Sequence, residues 1–110
     1  MSSGQPIPNA SSDAGELMSS LLDSLLDDFD HWFSRGEELL SRCPTDVMGR
    51  DEQQALADRL LEAKKSLVAT RALVSASPQP MAVSMDAMTP WHGLVTEVWG
   101  LAARMGRRQG

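Results

Sequence analysis

Three stretches of the chain repeat apolar residues at the spacing of one helix face. In residues 17–43, large apolar side chains recur at alternating steps of four and three residues, and residues 51–76 and 90–105 repeat this pattern. Such steps place the side chains on one side of an α-helix. The strict alternation of apolar and polar residues that is typical of a half-buried strand does not compete with it. The pattern therefore predicts three helices, at about residues 13–43, 51–76 and 90–105.

Prolines mark the connections between the predicted helices. Pro44 follows the first helix, and Pro78 and Pro80 interrupt the stretch between the second and the third. Proline lacks a backbone N–H and disfavours helical geometry in the residue before it. Because the first connection is short, it favours an antiparallel pair of helices. We predict an all-α three-helix bundle, in which a long antiparallel helical hairpin is followed by a C-terminal helix.

The two ends of the chain differ in composition from the predicted bundle. Residues 1–11 are rich in serine, proline, asparagine and glycine, which predicts a disordered N-terminal tail. We expect the bundle to occupy residues 12–106 and a basic tail to occupy residues 107–110. Residues 1–15 also lack the basic start and the apolar centre of a secretory signal.

Gly36 lies on the apolar stripe of the first predicted helix. Glycine in a helix interior costs up to about 1 kcal/mol relative to alanine. Two interpretations remain open for this position. Gly36 either lets another helix approach closely or is a tolerated weak point of the helix.

The charge of the chain argues against some classes of partner. The net charge is −5, and residues 1–50 hold nine acidic and three basic residues. Such a chain is a poor ligand for nucleic acid or anionic lipid. No apolar run approaches the ~18 residues of a membrane span. A single cysteine fits a reducing compartment, so we expect a cytoplasmic protein.

Candidate catalytic and metal-binding residues are few. His31 and His92 are the two histidines of the chain, and one Asp–x–x–His pair, Asp28 with His31, is present where a carboxylate-bridged metal bundle would need more. Cys43 lies on the apolar stripe, which favours a small packed side chain over a nucleophile. Nucleophile elbows, glycine-rich phosphate loops and zinc-binding HExxH motifs are missing from the sequence. We therefore predict a protein that is not an enzyme, with no cofactor and no bound metal.

Tryptophan and methionine supply the candidate interface with a partner. Trp91 begins the third predicted helix, where one edge of an aromatic side chain is often exposed, and exposed tryptophans often anchor interfaces. Methionines near it adapt to uneven surfaces. The candidate partner interface consists of Trp91, Phe33, Met85, Met88 and Trp99.

Two segments resemble a known family. These are LLDDFDHWFSRGEELL, residues 25–40, and MTPWHGLVTEVWGLAARM, residues 88–105. Their WF and PWHxLVTExW motifs resemble those of a family of small cyanobacterial proteins that is catalogued only as a domain of unknown function. The resemblance covers roughly residues 17–105. It implies an all-helical protein from a photosynthetic bacterium and carries over no catalytic or binding residue.

These observations favour a non-enzymatic protein–protein interaction module, such as an adaptor or assembly factor. Its partner would bind an apolar face that is bordered by acidic residues. A second hypothesis is a self-associating structural protein, in which the heptad stripe of the first helix pairs between copies as in a coiled coil. A third is a ligand or metal carrier that uses His31 and His92.

Overall fold

The protein is a bundle of three α-helices in the computed structural model. The backbone is described for residues 6–76 and 85–109, and the side chains for residues 16–76 and 86–107. The elements are α1 (Pro6–Ser41), α2 (Arg50–Ala76), a short 3-10 helix (Met85–Met88) and α3 (Thr89–Gln109). Over the described residues the chain forms no strand. The predicted all-α three-helix bundle is thus confirmed.

The N-terminal boundary of α1 differs from the prediction. The helix begins at Pro6, so residues 6–11, which we predicted to be disordered, form its first turns. The two prolines near this end, Pro6 and Pro8, lie in the first turn, where the N–H groups have no partner within the helix and proline is tolerated. Residues 1–5 of the predicted tail lie outside the described residues.

The C-terminal boundary differs as well. The helix α3 continues to Gln109, so it includes most of the predicted basic tail. Basic side chains at the end of a helix complement the partial negative charge of its last carbonyl groups. Gly106 does not end the helix, and its φ angle is not positive.

Ion pairs define how α2 lies on α1. Lys64 of α2 contacts Glu37 of α1 at 2.8 Å, and Arg71 of α2 contacts Asp27 of α1. From the first pair to the second, the residue number rises along α2, from 64 to 71, and falls along α1, from 37 to 27. The helices α1 and α2 are therefore antiparallel, as the short connection between them predicted.

Aromatic and glycine contacts define how α3 lies on α1. The ring of Trp91 packs edge-on against Phe29, with ring centres 5.3 Å apart. Gly36 lies seven residues after Phe29 on α1, and Val98 lies seven residues after Trp91 on α3. Gly36 and Val98 also face each other. Equal steps in the same direction mean that α3 runs parallel to α1. The helix α1 packs on both neighbours, whereas α2 and α3 touch each other little.

The core lies where the three helices meet. Its centre is Gly36, because an added Cβ atom there would lie 2.7 Å from Val98 and 2.9 Å from Leu60. Of the two interpretations of Gly36, close helix approach is confirmed. The other buried apolar side chains of this core are Leu26, Phe29, Phe33, Leu39, Leu56, Ala63, Leu67, Met88, Trp91, Leu94, Val95, Leu101 and Met105.

Candidate interaction surface on the first helix

The first half of α1 extends beyond the helices that cover its second half. Arg71 of α2 lies beside Asp27 of α1, and α2 ends at Ala76. Because the two helices are antiparallel, Ala76 lies near residue 22 of α1. The turns of α1 before residue 22 therefore have no turn of α2 beside them.

Three large apolar side chains on this projecting part are open to solvent. Leu17 is 61% exposed, Met18 is 43% exposed and Leu21 is 57% exposed. Their spacing places them in line with Leu22 and Leu25, which pack against the edge of the core. We call Leu17, Met18 and Leu21 the projecting stripe. It continues the apolar face of α1 past the end of the bundle.

The segment of α1 that carries the projecting stripe is acidic. Residues 16–30 contain five acidic residues and no lysine or arginine, which gives this segment a charge of −5. Within the described part of the chain, Asp27 forms an ion pair with Arg71, while Asp23, Asp28 and Asp30 form none. The segment therefore combines uncovered apolar area with uncompensated negative charge.

Three residues of the candidate partner interface are buried instead of exposed. Phe33 and Met88 are 0% exposed, and Trp91 is 6% exposed. The prediction that these side chains present a free surface was wrong. The reason is the parallel packing of α3, which brings its first turn against the middle of α1. Trp91 thereby packs edge-on against Phe33, with ring centres 6.4 Å apart.

Trp99, a fourth residue of that candidate interface, is exposed. Trp99 is 51% exposed and packs edge-on against the partly buried Trp32, with ring centres 5.7 Å apart. It is therefore available to a partner, on the side of the α1–α3 pair. The side chain of Met85 lies outside the described residues.

The two histidines contact different rings. His31 packs edge-on against Trp32 on α1, and His92 of α3 packs edge-on against Phe29. Both imidazoles are solvent-exposed. Among the described side chains, no three His, Cys, Asp or Glu residues lie close enough together to hold a metal ion.

Cys43 packs at the edge of the core, as its place on the stripe predicted. Burial raises the pKa of its thiol, while the positive charge of Arg104 opposes that change. A raised pKa lowers the fraction of thiolate, which is the reactive form. Cys43 is therefore a weak nucleophile at neutral pH.

An open groove of about 550 Å³ lies between α2 and α3. Small side chains such as Ala63 leave room for it, and Trp91 contributes to its wall. At one side Arg59 and Glu97 join α2 to α3 through two hydrogen bonds of 2.9 and 2.6 Å. The hydrogen bonds that Arg59 donates to the Glu97 carboxylate raise the pKa of Arg59, since they stabilise the charged guanidinium. The described lining residues include no histidine or cysteine.

The apolar repeat of residues 17–43 includes Met18 and Leu21, so the sequence pattern does not distinguish the projecting stripe from the core face. A signal for it was present in the unequal lengths of the predicted helices. The first helix was predicted to be longer than the second and about twice as long as the third. Neither shorter helix alone can cover the longer one along its whole length, because each residue adds the same 1.5 Å of rise.

Comparisons with known proteins give a family for this chain. Over the described residues, no helix has both the length and the apolar character needed to span a membrane. Neither a curated protein nor a solved structure significantly matches the chain. One family does match, over residues 12–107, and its description is a protein of unknown function, DUF2605. Because this match covers most of the chain, the protein belongs to the DUF2605 family.

Proposed function

We propose that this protein is a non-enzymatic protein–protein interaction module, an adaptor or assembly factor, and that the projecting stripe of α1 is its docking surface. The observation on which this proposal rests is the exposure of Leu17, Met18 and Leu21 on a helix whose later apolar side chains lie in the core or pack against it. Contiguous exposed apolar patches on monomeric proteins often mark sites of interaction with another protein. The proposal places the protein in the cytoplasm, which the single cysteine supports. The sequence resemblance supports a photosynthetic bacterium as its source.

A non-enzymatic role is supported by the chemistry of the exposed residues. The imidazoles of His31 and His92 pack against different aromatic rings, and burial raises the pKa of the Cys43 thiol. A cysteine nucleophile is usually activated by a base at hydrogen-bonding distance, whereas the Cys43 thiol donates to the backbone carbonyl of Pro44.

The test is a comparison of proteins that co-purify with tagged full-length chains from the source cell. One chain is the wild type, and one carries Leu17→Gln and Leu21→Gln. The matched control carries Leu61→Gln and Val68→Gln, which change two exposed apolar residues on the outer side of α2. Glutamine is a good helix former, so all three chains should keep the helix content of the wild type in circular dichroism.

We expect a stoichiometric partner that the wild type and the α2 control retain and that the Leu17/Leu21 variant loses. A partner retained equally by all three chains would contradict the projecting stripe as the docking surface. If no protein co-purifies stoichiometrically, the interaction-module proposal itself fails. The mass of the purified chain, measured over a range of concentrations, separates an adaptor from a self-associating protein.

A further inference from the structure

The open side of the α1–α3 pair carries an exposed aromatic side chain that is held in place. Trp99 of α3 is half exposed, and its ring packs edge-on against Trp32 of α1. Gly106 follows Trp99 by two turns on the same side of α3, and Ala102 and Ala103 lie between them. An added Cβ at Gly106 would meet no heavy atom within 4 Å. This side of α3 therefore presents one large side chain next to a position that has none.

Gly106 has no explanation inside the fold. It does not end α3, its φ angle is not positive, and no neighbour approaches it closely. Glycine in a helix interior is less favourable than alanine, so this residue costs α3 stability. A residue that breaks a local rule without a gain inside the fold is expected where the protein meets something else.

An antiparallel second copy of α3 would bring Trp99 and Gly106 together. If a two-fold axis passes between Ala102 and Ala103, Trp99 of each copy lies opposite Gly106 of the other, because the two residues are equally far from the axis. The two alanines then lie where the α3 helices cross. Small side chains at that point let the two backbones approach each other.

The contacts between α1 and α3 show where the same axis passes α1. Trp91 packs against Phe29, and Val98 meets Gly36, so in both pairs the α3 number is higher by 62 (91 − 29 and 98 − 36). An axis between residues 102 and 103 of α3 therefore passes α1 between residues 40 and 41.

Opposite charges of α1 meet across this axis. Arg35 and Arg42 follow Trp32 at helical spacing, on the side of α1 away from Glu37 and α2, and Glu38 contacts both arginines at 2.7 and 3.4 Å. Because residues 40 and 41 lie between Glu38 and Arg42, the rotation lays Arg42 of each copy beside Glu38 of the other. One alignment thus seats Trp99 on Gly106 and also pairs the charges of α1, which is the self-complementarity that a symmetric interface requires.

The net charge of −5 does not oppose this pairing. Five of the acidic residues lie in residues 16–30, before the part of α1 that the axis passes. Because each α1 runs antiparallel to its copy, these two acidic segments lie at opposite ends of the dimer. Their mutual repulsion is therefore screened by salt over a long distance.

We propose that the chain forms a two-fold symmetric dimer through the open side of the α1–α3 pair, with Trp99 of each copy seated on Gly106 of the other. Exposed tryptophans often anchor interfaces, and Trp32 holds this one in position. The dimer goes beyond the proposed function, since it uses neither Leu17 nor Leu21. It leaves two projecting stripes free, one at each end.

The first test is the mass of the full-length chain, measured by analytical ultracentrifugation over a range of concentrations. We expect an equilibrium between monomer and dimer. Gly106→Leu fills the position opposite Trp99 and should weaken the dimer at least about tenfold. The matched control is Gly100→Leu, which adds the same side chain at an equally open position on another side of α3 and should change nothing. A wild type that stays monomeric, or a dimer that Gly106→Leu leaves unchanged, would overturn the proposal.

Single cysteines test the alignment of the two copies. In a chain that carries Cys43→Ser, Ala103→Cys lies beside its own copy across the axis and should form a disulfide-linked dimer under mild oxidation. Thr96→Cys is the control on the same side of α3, because its copy lies about 20 Å away along the helix and should not link. A link at position 96 with none at position 103 would contradict the alignment.

A further variant separates this proposal from the proposed function. Leu17→Gln with Leu21→Gln removes the partner's docking surface and should leave the mass of the dimer unchanged. Loss of the dimer in that variant would place self-association on the stripe of α1 and overturn the pairing through Trp99. A monomeric wild type that still captures a partner through Leu17 and Leu21 would overturn the dimer and leave the interaction module standing.

Discussion

Substitution of Gly36 by alanine tests whether three helices meet at this residue as closely as the structure indicates. The added Cβ would lie 2.7 Å from the Cγ2 atom of Val98 and 2.9 Å from the Cδ1 atom of Leu60. Ordinary contacts begin at 3.4 Å, so the neighbours would have to move by 0.7 Å (3.4 − 2.7) and 0.5 Å (3.4 − 2.9). Both neighbours are 0% exposed, and valine is stiff about χ1, so neither has free space to move into.

Two opposing effects decide how far Gly36→Ala lowers the free energy of unfolding. Alanine gains up to about 1 kcal/mol over glycine in a helix interior. Overpacking a filled core costs roughly 1–3 kcal/mol, and two contacts below 3.0 Å favour the upper end. The net result is a loss of about 2 kcal/mol in the free energy of unfolding. For a domain of this size that loss lowers the Tm by roughly 8–16 °C.

The assay is thermal unfolding followed by circular dichroism, with Gly100→Ala as the control. Gly100 lies on the exposed side of α3 with no heavy atom within 4 Å of an added Cβ. The same chemical change should therefore raise the Tm there. Adding Val98→Ala to Gly36→Ala should make the combined loss smaller than the sum of the two single losses, because it frees space. A Gly36→Ala protein as stable as the wild type would refute the close approach of the helices.

Three further substitutions or modifications test other parts of the structure. Trp91→Ala should cost about 3–5 kcal/mol in urea unfolding, since it empties a core site, and a loss below about 1 kcal/mol would place Trp91 at the surface. Glu97→Gln should cost less than about 1 kcal/mol, with the difference from wild type vanishing in high salt, because its pair with Arg59 is about half exposed; a large, salt-independent loss would contradict this. Cys43 should react with a thiol reagent more slowly at pH 8 in the folded chain than in urea, because burial raises the pKa of its thiol; equal rates would contradict the burial. Since the folded state holds that proton more tightly, unfolding free energy should fall as pH rises from the ordinary thiol pKa through the raised value.

The helices and their apolar faces could be predicted from the sequence because periodicity depends on local chemistry. The steps of three and four residues located α2 and α3 within a few residues, and the prolines located the connections. The same reasoning could not tell how α3 lies on α1. Periodicity identifies which face of a helix is apolar but not which neighbour covers it. Trp91 was therefore predicted to be exposed, although parallel packing seals it against Phe29.

The candidate surface was harder to predict because its residues look like core residues. Met18 and Leu21 have the same side-chain chemistry and spacing as Leu22 and Leu25. What distinguishes them is the point at which α2 stops, and this depends on how the two helices align. That alignment is defined by contacts such as Arg71 with Asp27, which connect residues far apart in sequence.

The two halves of α1 differ in how well their apolar side chains are covered and their charges are paired. In the second half, apolar side chains are covered, Gly36 admits two neighbours, and Glu37 pairs with Lys64. In the first half, Leu17 and Leu21 face solvent. At its end, Asp23 stands four residues before Asp27, a like-charge spacing that costs a helix roughly 0.2–0.5 kcal/mol. Stability of the isolated fold would favour polar residues at the leucines and fewer acids. Segments that break local rules without a gain inside the fold are expected where a protein meets something else. A partner docked on the projecting stripe would cover Leu17 and Leu21 and so remove the first of these faults.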